Sequence, residues 1–173
     1  MDKEEFFLLI PAVIYGQALI DVLKVFHHKK TYWEIIAWGV ILIISIIGLW
    51  VELYHKLAHI TEDAFKFIVV ILQAILYAQL GRIITPEASD INTKSYFLSI
   101  RKNFFLVITA IPITSILVQY VVFDDGHPPY YRAIGIACYL AAAFIDKVWF
   151  RSIILALTFL GILFTIYIPI LYR

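Results

Sequence analysis

Two groups of side chains have types and spacings that can do chemistry. In the first, Gln17, Asp21 and Lys24 lie four and three residues apart and fall on one face of a helix. A carboxylate inside an apolar helix costs several kcal/mol, about 3 by insertion scales, unless it is neutralised, hydrated or paired. Asp21 therefore marks either a proton or ion path or a buried ion pair, and Arg82, Arg101 and Arg151 join Lys24 as candidate partners. In the second group, Glu52, His55 and His59 follow one helical face at offsets of three and four. Imidazoles and a carboxylate suit a transition metal such as zinc, iron or copper. An ordinary helical ion pair of Glu52 with Lys56, with interfacial histidines beside it, is the plainer reading.

His55-x-x-x-His59 resembles the first histidine box of membrane desaturases and hydroxylases. Those enzymes need further boxes on the same face, and the one His-His pair here, His27-His28, falls on the opposite side. A haem needs facing histidines at similar depth. The last three apolar runs contain none. No phosphate-binding Gly-Lys-Ser/Thr loop, no Gly-x-Ser-x-Gly elbow and no complete nucleophile set occurs, so an enzyme is disfavoured. With one cysteine, Cys138, the 173 residues hold neither an intrachain disulfide nor a cysteine-rich metal site.

The elements that position these residues are apolar. The chain is 62% hydrophobic and 16% charged, against roughly 45–50% apolar residues in soluble domains. Its formal charge of +1 offers no basic excess for nucleic acid. An all-α integral membrane bundle of six transmembrane helices is expected, a single domain with spans at about 6–26, 33–54, 64–84, 97–123, 129–146 and 148–172. The acidic start and the lack of a small-residue cleavage site make the first run a retained span. Thr31 and Glu34 form a capping box before the second helix. Polar connectors follow the third run at Thr85–Lys94 and the fourth at Asp124–Pro129. Pro112 and Pro169 should kink or end their helices. Ala133, Ala137 and Ala141, with Gly135, Cys138 and Ala142 beside them, form a small-residue stripe suited to close helix packing.

Charge sets the orientation. The loops after spans one, three and five hold nine basic residues: Lys24, Lys29, Lys30, Arg82, Lys94, Arg101, Lys102, Lys147 and Arg151. The other side holds five, namely Lys3, Lys56, Lys66, Arg132 and Arg173. Basic residues are retained in the cytoplasm, so both termini face away from it. Arg101, Lys102, Lys94, Lys29 and Lys30 match anionic head groups in number and position, and positive-inside retention also explains them.

Tyr15-Gly16-x-Ala18-Leu19-x-Asp21-x-Leu23, then Asp90, Tyr96-Phe97, Arg101 and Phe104-Phe105, resemble a set of small bacterial integral membrane proteins without an assigned activity. The resemblance covers the first four spans. It implies a bacterial inner membrane and, read this way, pairs Asp21 with Arg101. The leading function is a channel- or transporter-type subunit with a polar path near Asp21, in which Gln73, Tyr77, Gln79 and Gln119 add hydrogen-bonding groups at depth. The alternatives are a non-catalytic scaffold, sensor or accessory protein, and a metal-dependent membrane enzyme at Glu52, His55 and His59. The expected partners are the lipid bilayer and further copies of the chain.

Overall fold

The computed structural model describes residues 3–27, 31–55, 60, 63–87, 92–122 and 130–171, with the backbone alone for residues 3–6, 55, 122, 130–131 and 165–171. Among the described residues the regular secondary structure is all helical, with no strand. The six helices are α1 (Lys3–Lys24), α2 (Trp33–His55), α3 (Ala64–Ile84), α4 (Thr93–Val122), α5 (Tyr130–Phe144) and α6 (Val148–Leu171), and a 3-10 turn, Val25–His27, extends α1. Each coincides with one of the apolar runs to within about a turn.

Caps explain where the ends differ or were unclear. Asp63 precedes α3 in extended conformation, and its carboxylate accepts the Phe65 N–H at 2.9 Å. Asn92 Oδ1 accepts from Lys94 N at 3.1 Å and Ser95 N at 3.3 Å. That cap starts α4 at Thr93, four residues before the first strongly apolar position at Phe97. None of the internal prolines ends its helix: α1 runs through Pro11, α4 runs through Pro112 and α6 continues past position 169.

Four helical segments are long and apolar enough to cross a membrane: Phe7–His27, Trp33–Tyr54, Ala64–Ile84 and Thr93–Val121. The apolar segments described in α5 and α6, Arg132–Phe144 and Val148–Phe164, are shorter. α1 packs most extensively on α3, α3 on α4 and α4 on α5, while α6 lies against α2 and α5, and α2 against α1. The neighbour relations thus close into a ring, across which α2 also lies against α3.

Contacts at one end of this ring fix the helix directions. Thr85 at the end of α3 hydrogen-bonds the Asp21 carbonyl near the end of α1. Tyr96 in the first turn of α4 donates to the Ile83 and Thr85 carbonyls. Tyr32 at the start of α2 donates its N–H to Thr93. Arg151 at the start of α6 reaches Glu34 in α2 and Asp146 after α5. Ends of α1, α3 and α5 therefore meet beginnings of α2, α4 and α6, so successive helices alternate in direction.

The core is aromatic close to this end. Trp38 is fully buried, with its ring edge-on to Phe104 and Phe105 at 5.5 Å and to Tyr139 at 6.4 Å. Phe97 links Phe104 to Tyr32 at centroid distances of 6.1 and 6.0 Å. Edge-on geometry suits the ring quadrupoles and adds about 0.5–1.5 kcal/mol per pair beyond area burial. On the far side of α1, Gly81 lets two backbones touch: a Cβ there would lie 2.9 Å from the Ala18 carbonyl oxygen and 3.4 Å from Asp21 Cβ. The α5 stripe is divided: Ala142 is fully buried, whereas its earlier positions do not work this way within one chain. Ala133 and Ala137 are exposed, and an added Cβ at Gly135 would meet only the Tyr139 ring, at 3.9 Å.

Candidate functional site: two charged clusters at one end of the bundle

Asp21 is held by its neighbours on α1 and α3. Its carboxylate lies 2.6 Å from Lys24 Nζ and 3.9 Å from Arg82 Nε, and the acid side chain is 8% exposed. The two cations are 56% and 67% exposed, so the pair sits at a boundary with its positive side in solvent or head groups. Gly81 brings Arg82 to this place by allowing α3 to touch α1 beside Asp21. Thr85 Oγ1 completes the joint, donating to the Asp21 carbonyl at 2.7 Å. Gln17 is exposed on the outer surface of α1, its side chain beside the Asp21 carboxylate. Gln79 is exposed too, whereas Gln73 and Tyr77 point inward.

A second cluster was not visible as a unit in the sequence. Glu34, in the first turn of α2, and Arg151, in the first turn of α6, are each 1% exposed. The guanidinium donates from Nε to Glu34 Oε2 at 2.8 Å and from Nη2 to Glu34 Oε1 at 2.9 Å, a two-pronged bond between residues 117 apart in the chain. Its remaining prong, Nη1, reaches Asp146 Oδ1 at 2.9 Å. Arg101 of α4 pairs with that same oxygen. The Tyr32 hydroxyl donates to Glu34 Oε1 at 2.5 Å, and burial, then this bond, push the phenol above its ordinary range. Asp146 forms the open rim of the cluster, its side chain 65% exposed, whereas Glu34 and Arg151 are shut in, with the Tyr32 ring 6.0 Å from that of the buried Phe97. In such a setting opposite charges attract more strongly, and an unmatched charge is correspondingly costly.

The structure therefore separates residues that the sequence reading joined. The ion pairs of Asp21 run to Lys24 and Arg82, whereas Arg101 pairs with Asp146. Glu34, read as a capping residue, has its carboxylate engaged by Tyr32 and Arg151. Arg151, counted among the retained basic residues and offered as a partner of Asp21, is among the most buried side chains in the bundle and pairs with Glu34. One signal was present: Glu34 and Arg151 are opposite charges, each in the first turn of helices that begin on the same side. Opposite sign and similar depth point to pairing.

Of the metal candidates, Glu52 lies exposed near the end of α2, while the His55 side chain and His59 lie outside the described residues. The Asp124–Pro129 turn lies outside them as well. Among the described residues no three His, Cys, Asp or Glu side chains gather as a metal site. Cys138 is a free, half-buried thiol on α5.

Polar side chains are also buried between the helices. Tyr15 is buried near Tyr77 and Trp50, at ring distances of 6.1 and 6.4 Å. The Tyr139 and Thr158 hydroxyls bond between α5 and α6 at 2.8 Å. Among the described residues the Tyr15 hydroxyl and Trp38 Nε1 have no hydrogen-bond partner. No protein-family profile, curated protein or solved structure matches this chain significantly.

Proposed function

We propose that this chain is a six-span membrane bundle of the scaffold or accessory type, in which intramembrane charges tie helices together rather than carry an ion or a proton. The observation that supports this reading most is the Glu34–Arg151 pair, buried on both sides and saturated by two parallel hydrogen bonds. Asp21, the leading relay candidate, is also neutralised within its own chain, and its neighbour Gln17 faces outward.

The alternation of helix directions supports spanning by α5 and α6. α5 has 15 residues, about 22 Å of helix, and a short span is accommodated by local bilayer thinning. The charged end then faces the cytoplasm and both termini face away from it. A bacterial inner membrane follows from the resemblance carried by the Tyr15–Leu23 and Tyr96–Phe105 residues. Thiol labelling tests the arrangement in a Cys138→Ser background. Lys147→Cys reacts from the cytoplasmic side and Phe65→Cys from the opposite side. Reaction of both from one side refutes it.

Proteoliposomes carrying proton, sodium or potassium gradients test the function. The account predicts no flux above that of empty vesicles. Flux that disappears with Asp21→Asn restores the transporter reading.

One observation favours a carrier as the second reading: the Tyr15 hydroxyl, buried without a partner beside Tyr77 in the middle of the bundle. Flux that survives Asp21→Asn and falls with Tyr15→Phe identifies that reading. Elemental analysis of chelator-washed protein addresses the metal reading. A stoichiometric transition metal lost in His55→Ala establishes Glu52, His55 and His59 as its site.

A further inference from the structure

The α4 surface beside the α5–α6 connector carries more positive charge than its acids neutralise. Arg101 and Arg151 share one oxygen of Asp146, and Arg151 is already matched by Glu34. Lys102, next along α4, is exposed and places its Nζ 5.4 Å from the centroid of the Phe144 ring. This contact and the Arg101–Asp146 pair fix the Arg101–Lys102 segment against the connector from two sides. Lys147 is exposed within the connector itself. Among the described residues, Arg101, Arg151, Lys102 and Lys147 are thus opposed by Glu34 and Asp146 alone, leaving two formal positive charges. Phe144, Val148 and Trp149 are exposed apolar side chains flanking them. A tryptophan beside lysines is characteristic of the membrane–water boundary, where the ring sits at head-group level and the lysines reach toward phosphate.

We propose that this surface holds the head group of an anionic phospholipid, its phosphate between Lys102 and Lys147 and its acyl chains along Phe144 and Trp149. Charge complementarity selects the head group, and continuity with the exposed faces of α5 and α6 selects a lipid over a free anion. The Arg101–Asp146 and Arg151–Asp146 pairs hold the connector in place and are positioning contacts. The inference rests on α5 and α6 lying in the bilayer, which the thiol-labelling experiment tests separately.

Native mass spectrometry of the detergent-purified full chain, titrated with phosphatidylglycerol and with phosphatidylcholine of the same acyl chains, is the test. Wild type should retain one phosphatidylglycerol in preference to phosphatidylcholine. Lys102→Gln with Lys147→Gln should weaken that binding about 30-fold, from the usual contribution of a basic residue near an anionic membrane surface. Both lysines are exposed, so the double variant should elute as wild type. Lys102→Gln alone, expected to weaken binding about fivefold, serves if it does not. Lys66→Gln, which removes an equal charge in the first turn of α3 at the opposite end of the bundle, should leave binding unchanged. Equal retention of the two lipids, undiminished phosphatidylglycerol binding in the double variant, an equal loss with Lys66→Gln, or full competition by inorganic phosphate would each overturn the proposal.

Discussion

Two acid–base clusters occupy the same end of this bundle and are built on opposite plans. Around Asp21 the acid is covered and the cations are open: Lys24 is three residues away on the same helix, and both it and Arg82 are more than half exposed. Around Glu34 both partners are sealed, and the bond joins the second helix to the last. The first arrangement places one charge at a boundary where solvent screens the other. The second removes two charges from water and relies on geometry to compensate. A local pair adds little to the topology, whereas a pair 117 residues apart fixes which helices are neighbours.

The largest effect should follow from breaking the sealed pair on one side. Glu34→Ala leaves the buried Arg151 guanidinium with Asp146 alone and should cost about 3–5 kcal/mol of stability. Loss of helical signal on titration of detergent-solubilised protein with dodecyl sulfate reads this directly. A cost below 1 kcal/mol, on the scale of an exposed pair, would erase the contrast between the clusters.

The next effect lies at the Asp21 joint but concerns packing rather than charge. Gly81→Ala puts a methyl group 2.9 Å from the Ala18 carbonyl oxygen, where only backbone movement can relieve the clash. The expected cost is about 1–3 kcal/mol, with α1 and α3 forced apart. A substitution as harmless as at Gly161, where an added Cβ meets nothing within 4 Å, would remove the close approach from the account.

Asp21→Asn should do less, at most about 1 kcal/mol, because Lys24 and Arg82 remain hydrated when the carboxylate charge is removed. Salt separates the clusters without mutation. Between about 0.1 and 1 M the screening length shortens from about 10 to 3 Å. The Asp21→Asn effect should shrink over this range while the Glu34→Ala effect persists. Parallel loss of both would show that water reaches Glu34.

The positions of the helices were legible because apolar runs bounded by polar connectors need no partner to be recognised. Asp21 was conspicuous for the same reason, being one charge among apolar residues. Its partners were not legible, since Lys24, Arg82, Arg101 and Arg151 all end on one side and only packing selects among them. Gly81 decides that selection by admitting α3 to the surface of α1, and a lone glycine within an apolar run carries no mark of what it touches. Glu34 and Arg151 were hidden by ordinary explanations: an acid in a first turn reads as a cap, and an arginine at a span end reads as a retained charge. Their burial is a property of the ring, in which α6 returns to lie against α2. The small residues of α5 taught the reverse lesson, since their spacing suits close packing and Ala133 and Ala137 nevertheless face outward.

The most direct test of the central claim, that buried charge here ties helices together, is a double-mutant cycle at the sealed pair. Glu34→Leu and Arg151→Met are measured singly and together by unfolding in mixed micelles. Each single change should cost about 3–5 kcal/mol, and the double variant should recover most of that loss, because two apolar side chains leave no unmatched charge between α2 and α6. A double variant as unstable as the sum of the two singles would show that Glu34 and Arg151 do not act as a pair, and would contradict the account.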